Sequence, residues 1–171
     1  MVRLLGAGLI LVSFTLFGMQ QKQRLLEHMR QLVNLKELLL LLSGELSYAR
    51  TPLSEALLHI AERGREPFCD LFSEVAAELG KRQRRLPEIW QEALFRHQSR
   101  IYFDQEEFRL LEGLGDNFGY LDIHMQLGQL SLVIQQLDGK ITEAQGELEK
   151  RQRLYQYLCV MSGLFLILVL L

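Results

Sequence analysis

The chain has 171 residues, of which 49% are hydrophobic and 23% charged, and its net charge is -2. Because so small a net charge attracts neither nucleic acids nor anionic membrane surfaces, a general electrostatic binder of either kind is excluded. The charges are unevenly distributed, since Arg3 is the only charged side chain outside residues 22–153. The apolar content is therefore concentrated at the two termini.

Two terminal segments, residues 4–19 and 154–171, are apolar over about the length that crosses a bilayer, which is roughly 17–25 residues. We predict a transmembrane helix in each. For the first segment a cleaved secretory signal is the alternative, because Arg3 precedes the apolar run. No A-x-A-like cleavage site follows, so we expect the segment to be retained.

Basic residues predict which side of the membrane the middle of the chain faces, because Lys and Arg are enriched on the cytoplasmic side. Lys150, Arg151 and Arg153 precede the second segment, and no charge follows it. We therefore predict an N-terminal transmembrane helix at 1–21, a cytoplasmic helical domain at 22–153 and a C-terminal transmembrane helix at 154–171. A secreted, tail-anchored protein is a further alternative, which requires cleavage of the first segment.

The two cysteines, Cys69 and Cys159, agree with a reducing compartment. Cys69 falls in the middle region and Cys159 in the second apolar segment, so we do not expect them to pair. We predict that each packs as a small apolar side chain.

The first predicted helix of the middle region has one apolar stripe, with leucines and a methionine at spacings of three and four. The stripe consists of Leu25, Met29, Leu32, Leu35, Leu39, Leu42 and Leu46. This helix and the first apolar segment are predicted to form one continuous rod. The next helix is predicted to begin at Thr51 and Pro52, because threonine caps free amides and proline fits the first helical position.

Further start and stop signals divide the middle of the chain. Gly64 is predicted to end the second helix, Pro67 to open a third that runs to Gly80, and Pro87 to start a fourth. Asp104 and Glu107 form a capping-box-like pair before a short fifth helix. The stretch 113–122 is rich in turn-forming residues and predicts a tight reversal, after which Asp122 caps the last helix.

The last helix has the strongest periodicity, with spacings of four and three that are typical of a coiled-coil seam. The seam residues are Ile123, Leu127, Leu130, Ile134, Leu137, Ile141, Ala144 and Leu148. The seam is predicted either to face inward in a single bundle or to pair with another chain. No strand pattern occurs, so the predicted fold is all-α: a cytoplasmic antiparallel bundle of about six helices flanked by two transmembrane helices.

Motifs of common enzymes are missing from the sequence: it has no phosphate loop, no H-E-x-x-H, no C-x-x-C and no G-x-S-x-G. The four histidines fall on four different predicted helices, without the spacing of a metal site. They are His28, His59, His97 and His124. We predict a protein that is not an enzyme and has no catalytic residue, metal or cofactor.

One local charge cluster lies between the third and fourth predicted helices: Lys81, Arg82, Arg84 and Arg85. It is either a solvated loop or a contact for anionic lipid headgroups or for an acidic face of a partner. No aromatic residues are interleaved with the cluster, as a stacking surface for nucleic acid requires. We therefore expect no nucleic-acid partner.

Several short stretches, in order over nearly the whole chain, resemble the stage III sporulation protein AB family of endospore-forming bacteria. They are Leu4, Leu5, Gly6 and Ala7; Glu45, Tyr48, Thr51, Pro52, Leu53 and Ala56; Gly115, Gly119, Asp122 and Gln126; and Ser162, Gly163 and Leu164. Trp90 also falls where the family has a tryptophan. Phe118 departs from the pattern, because a smaller aliphatic residue is expected there.

The resemblance implies a subunit of a multi-protein complex in the membrane of the mother cell, which engulfs the forespore. Members are similar to the F-type platform proteins of type II secretion systems. The implied partners are the lipid bilayer, the other proteins of the stage III sporulation complex and its cytoplasmic secretion-type ATPase. The expected function is that of a membrane platform in a secretion-like channel between mother cell and forespore.

Loops that join helices often carry interactions, whereas apolar stripes hold the fold. The candidate partner contacts are therefore Tyr48, Thr51, Pro52 and Leu53; the basic cluster Lys81, Arg82, Arg84 and Arg85; and Gly115, Gly119, Asp122 and Gln126. Capping and turn geometry alone is the structural alternative. The alternative function is a generic two-span scaffold or signalling dimer, and the sequence leaves a homo-oligomer open.

Overall fold

The computed structural model describes the backbone of residues 2–49, 51–118 and 122–170. It describes the side chains of residues 23–48, 51–116, 118, 122–150 and 154. Every regular element within the described backbone is helical. The all-α fold predicted from the sequence is therefore confirmed for the described part of the chain.

Six α-helices follow one another in the described part of the chain. They are α1 (Val2–Gly44), α2 (Leu53–Arg63), α3 (Phe68–Gly80), α4 (Leu86–His97), α5 (Gln105–Phe118) and α6 (Ile123–Leu170). A π-helical turn, Glu45–Ala49, extends α1, and a 3-10 turn, Gln98–Arg100, follows α4. The continuous first rod and the unbroken last helix, both predicted from the sequence, are confirmed.

The chain divides into two compact units. A terminal unit comprises Met1–Leu26 and Thr142–Leu171, and a central unit comprises Glu27–Ile141. The predicted transmembrane segment 4–19 lies outside the described side chains, as does all of 154–171 except Leu154. Among the described residues, no helix is both long enough and apolar enough to cross a bilayer.

The core of the central unit is built on the leucine stripe of α1. Leu32, Leu35, Leu39, Leu42 and Leu46 are buried as predicted, and Leu38 is buried with them. The other helices turn one apolar face toward this core. Its fully enclosed side chains include Ile60, Phe68, Leu71, Phe72, Leu111, Leu114 and Leu130.

Two buried amides on α1, Gln31 and Asn34, bind the backbone of two connections. The Gln31 amide donates to the carbonyl of Arg100 at 2.9 Å and accepts from the Tyr102 N–H at 2.8 Å. The Asn34 amide donates to the carbonyl of Arg65 at 3.1 Å. The α2–α3 and α4–α5 connections are thus both fixed to α1, and we call this region the clasp end of the central unit.

The capping box predicted at the start of α5 is confirmed. The Glu107 N–H donates to the Asp104 carboxylate, and the Asp104 N–H donates to the Glu107 carboxylate, each at 2.8 Å. The same Glu107 oxygen lies 2.7 Å from His28 Nε2 on α1, and Glu107 is only 2% exposed. A local cap therefore also ties α5 to α1.

Other predicted helix boundaries are confirmed at Gly64, which follows α2, and at Pro87, which lies in the first turn of α4. The prediction that Thr51 caps α2 is wrong. The N-cap position is occupied by Pro52, in an extended conformation, and no side chain caps the helix. The Thr51 hydroxyl instead donates to the Glu45 carboxylate at 3.1 Å, because the π-helical turn brings that carboxylate back toward the start of α2.

The predicted reversal at 113–122 is also wrong in extent, because α5 continues to Phe118. Leu114 is 2% exposed, and its burial holds this last turn and a half in the helix. Residues 119–121, the rest of the predicted reversal before Asp122, lie outside the described residues.

Replacement of Gln31 by Leu should destabilise the protein, because leucine cannot make the two hydrogen bonds of the Gln31 amide. The Arg100 carbonyl and the Tyr102 N–H would each lose a part-buried hydrogen bond, at about 0.5–1.5 kcal/mol apiece, so we expect a loss of about 1–3 kcal/mol. Chemical denaturation followed by the fluorescence of Trp90 measures it. Glu37→Ala, at an exposed position of the same helix, is the control and should change stability by less than about 0.5 kcal/mol. Equal effects would contradict the role of Gln31.

Candidate docking surface

The three candidate regions predicted from the sequence meet at one end of the central unit, around an apolar cleft. The cleft is a small gap in the core, because seven of its nine lining side chains are only 0–6% exposed: Leu39, Leu42, Leu57, Phe72, Leu86, Trp90 and Leu114. Leu53 and Phe118 complete the lining and are half-buried. Leu53 belongs to the candidate region 48–53 and Phe118 to the candidate loop 115–122, and Leu86 directly follows the basic cluster. We call this region, opposite to the clasp along α1, the cleft end.

The connection from α1 to α2 presents the most exposed aromatic residue among the described side chains. Tyr48 lies in the π-helical turn and is 92% exposed. Glu45 stabilises the turn from within, because its carboxylate accepts from Thr51 and lies 3.6 Å from His59 Nδ1. Thr51 therefore supports the turn, whereas Tyr48 and Pro52 are exposed to solvent.

The basic cluster is largely neutralised within the chain. Lys81 pairs with Glu78 at 2.5 Å, Arg84 with Glu92 at 2.6 Å and Arg85 with Glu88 at 2.9 Å. Because each of these cations already has an acidic partner on α3 or α4, the cluster presents less free charge than its sequence indicates. These internal ion pairs make an electrostatic contact between the cluster and an anionic partner less favourable.

Glu92 is the centre of the largest of these ion-pair networks. Hydrogen bonds from Arg84 and then Arg96 hold the pKa of its carboxyl below the usual range. Glu92 therefore remains charged at neutral pH and keeps both arginines engaged. Arg82 differs from its neighbours in the backbone, where a φ of 54° places a non-glycine residue in the left-handed region.

Gly115 has a packing role. A Cβ atom placed on it would overlap the indole ring of Trp90, so only glycine allows α5 to lie this close to α4. Trp90 is 3% exposed, and its Nε1 donates to the carbonyl of Leu111 at 2.9 Å. Trp90 is therefore a core residue, and Gly115 is its packing partner.

Gln126 also acts on the fold at this end. Its amide donates to the carbonyl of Phe118 at 3.0 Å and so satisfies one of the free carbonyls at the end of α5. Asp122 is exposed, and its own carbonyl accepts from the Gln126 N–H at 2.9 Å. Gly119 lies outside the described residues. Of this group, Asp122 alone offers an exposed side chain.

Sequence reasoning missed the cleft itself, although it named residues beside it. Phe118 was noted only as a departure from the family pattern, yet its ring forms part of the cleft lining together with Leu114. The signal was present in the sequence: Leu110, Leu111, Leu114 and Phe118 continue the helical spacing of α5 beyond Gly113. The glycines at 113 and 115 obscured that signal.

The seam of α6 packs within the chain where the structure describes it in the central unit. Leu130 and Leu137 are fully buried, and Ile141 is 8% exposed. Of the two interpretations left open by the sequence, this burial favours the inward-facing one. The seam is thus an internal contact, and it does not favour the signalling-dimer function.

The described histidines and the described cysteine have no arrangement that suggests chemistry. His97 lies 3.0 Å from Glu74, and His124 is exposed. Burial raises the pKa of the free Cys69 thiol, and the adjacent Asp70 carboxylate raises it further. This thiol is therefore less reactive than an ordinary one. Among the described residues, no group of three or more potential ligands could hold a metal ion.

Comparison with known families decides the identity of the fold. The sequence profile of stage III sporulation protein AB matches residues 3–171. The chain belongs to the stage III sporulation protein AB family. Because the family is defined by a stage of spore formation and not by a reaction, the role of the chain lies in sporulation.

Two relatives agree with this assignment. The chain is 28% identical to stage III sporulation protein AB of Bacillus subtilis (strain 168) over 170 residues, which cover 99% of each protein. It is also similar to a solved structure of a stage III sporulation protein AB, with 25% identity and a TM-score of 0.66. That similarity covers 72% of this chain and 97% of the solved one.

Replacement of Gly115 by Ala tests the packing of the cleft end. The added methyl group would push α5 away from Trp90, and we expect a loss of about 2 kcal/mol together with a red shift of the Trp90 emission. Gly113→Ala is the matched control, since a Cβ there meets nothing within 4 Å. It should stabilise the protein by up to about 1 kcal/mol, because alanine favours a helix over glycine. Similar effects of both changes would contradict the packing role of Gly115.

Proposed function

We propose that this protein is a membrane platform subunit of the secretion-like complex that joins mother cell and forespore. Residues 1–21 and 154–171 anchor it in the mother-cell membrane around the forespore, and residues 22–153 form its cytoplasmic domain. The platform docks the cytoplasmic secretion-type ATPase of the stage III sporulation complex. It contributes contacts, not catalysis, to that machine.

Two features support the membrane arrangement. Each apolar terminal segment continues a helix of the central unit, since α1 begins at Val2 and α6 ends at Leu170. The basic residues at 150, 151 and 153 directly precede the second apolar segment, as expected on the cytoplasmic side. Both termini then lie on the far side of the membrane.

The observation that supports docking is that the three candidate regions lie together at the cleft end. An exposed aromatic residue is a common centre of binding energy in protein interfaces, where tyrosine is enriched. Tyr48 is such a residue, and it stands on a turn held by Glu45 and Thr51. Because the turn is held in place, little conformational freedom is lost when a partner binds.

Docking at the cleft end depends on Tyr48 more than on the basic cluster. Lys81, Arg84 and Arg85 already pair with acidic groups of the same chain, and a new ion pair would have to replace an existing one. Exposed ion pairs contribute only about 0–1 kcal/mol each. Removal of Arg84 should therefore weaken docking much less than removal of Tyr48.

A photoreactive amino acid at position 48 should cross-link to the ATPase in sporulating cells. The matched control is the same amino acid at position 95, because Phe95 is also an exposed aromatic residue, at 73%, but lies near the clasp end of α4. We expect an adduct from position 48 and little or none from position 95, detected with an antibody to the ATPase.

Adducts of equal yield from both positions would contradict docking at the cleft end. An adduct from position 95 alone would place the ATPase at the clasp end instead. The absence of any adduct from either position, with both variants still in the membrane fraction, would contradict the docking of this ATPase altogether.

A further inference from the structure

The outward face of α6 differs in its charge from the exposed faces of α2, α4 and α5. Within residues 125–137 there is no charged side chain. The exposed faces of α2, α4 and α5, in contrast, carry charged residues such as Glu62, Glu88 and Arg109. A helix that only faces water is normally covered with charged and polar groups, so this face lacks the composition of a simple solvated surface.

Large apolar side chains stand on this face. Met125 is 58% exposed and Leu132 is 53% exposed, and they are seven residues apart, on one side of the helix. Gly139 follows after a further seven residues, whereas Gly128 and Gln135 lie three residues after Met125 and Leu132. These five residues, which we call the outer face of α6, have the spacing of a second seam, separate from the buried one.

The glycines of the outer face have no explanation within a single chain. A Cβ atom on Gly128 or on Gly139 would meet nothing within 4 Å. Alanine would therefore fit at both positions, and it favours a helix over glycine. A helix packed closely against this face would supply the missing reason, because glycine lets two backbones approach one another.

We propose that the outer face of α6 pairs in parallel with the outer face of a second copy of this chain. The seven-residue spacing fits a helix as the occupant, since paired helices meet at positions that recur every seven residues. The lack of charge fits an identical copy, because a parallel pair sets each residue beside its equivalent and any charged position would repel itself. The parallel direction rests on the proposed membrane arrangement, in which both copies enter one bilayer in the same sense.

The experiment uses the full chain in membranes, with Cys69 and Cys159 replaced by alanine and one new cysteine at a time. The variants are Met125→Cys, Leu132→Cys and Gly139→Cys, oxidised to form disulfides. Ser131→Cys is the matched control, because Ser131 is exposed next to Leu132 but is turned by about 100° around the helix. A disulfide needs Cα atoms about 4.4–6.8 Å apart, so it reports close pairing.

We expect a dimer from each of the three outer-face variants, in about tenfold greater yield than from Ser131→Cys. Equal yields, or no dimer from any of the three, would overturn the proposal. So would an adduct of a different mass, which would mean that another protein covers the face. A mixture of the Met125→Cys and Gly139→Cys chains that cross-links only between positions 125 and 139 would mean an antiparallel pair and would also overturn it.

A second measurement on the same samples separates this proposal from the proposed function. Fractionation reports whether the chain is in the membrane. Parallel dimers from a chain outside the membrane fraction would support the pairing and contradict the membrane arrangement. A chain in the membrane fraction without dimers would leave the membrane arrangement intact and overturn the pairing.

Discussion

The buried amide of Gln31 is the contact on which the arrangement of the central unit depends. Its side chain binds a carbonyl and an N–H of the α4–α5 connection. Asn34, one turn along α1, binds a carbonyl of the α2–α3 connection. Buried polar groups without partners are costly, so an alternative register of α2–α5 against α1 would leave these groups unsatisfied. The leucine stripe of α1 supplies burial, whereas the two amides specify which part of each neighbour lies against it.

The two ends of the central unit are held by different forces. At the clasp end, polar contacts from Gln31, Asn34 and His28 fix backbone and a helix cap. At the cleft end, the helices meet mainly through apolar packing around Trp90, with Gly115 pressed against the indole. One end is therefore fixed by specific hydrogen bonds, and the other by the fit of apolar side chains.

Much of the fold could be predicted from the sequence because its signals are local. The α1 stripe, the Asp104 and Glu107 box and the unbroken α6 each follow from spacing within one helix. The predictions that were wrong depended on neighbours distant in sequence. Thr51 bonds to Glu45 instead of capping α2, and Gly115 is in a helix because Trp90 lies against it. In a sequence, a glycine that is needed for close packing looks the same as a glycine that is needed for a turn.

The candidate contact residues show the same limit. Spacing along the chain identified three regions, but only the folded chain brings them to one cleft, and only there is it visible that Arg84 and its neighbours are paired. A cluster of basic residues in a sequence does not reveal acidic partners one or two turns away on adjoining helices. Of these regions, Tyr48 therefore presents an exposed side chain, whereas Lys81, Arg84 and Arg85 are paired within the chain.

Spore formation measures the central claim, that the cleft end is the working surface of this sporulation protein. A deletion strain would be complemented with wild type, with Tyr48→Ala and with Phe95→Ala, each assayed for protein level and for heat-resistant spores. The account predicts few heat-resistant spores with Tyr48→Ala at normal protein level, and normal yields with wild type and Phe95→Ala. Normal spore yield with Tyr48→Ala, or an equal defect with both variants, would contradict it.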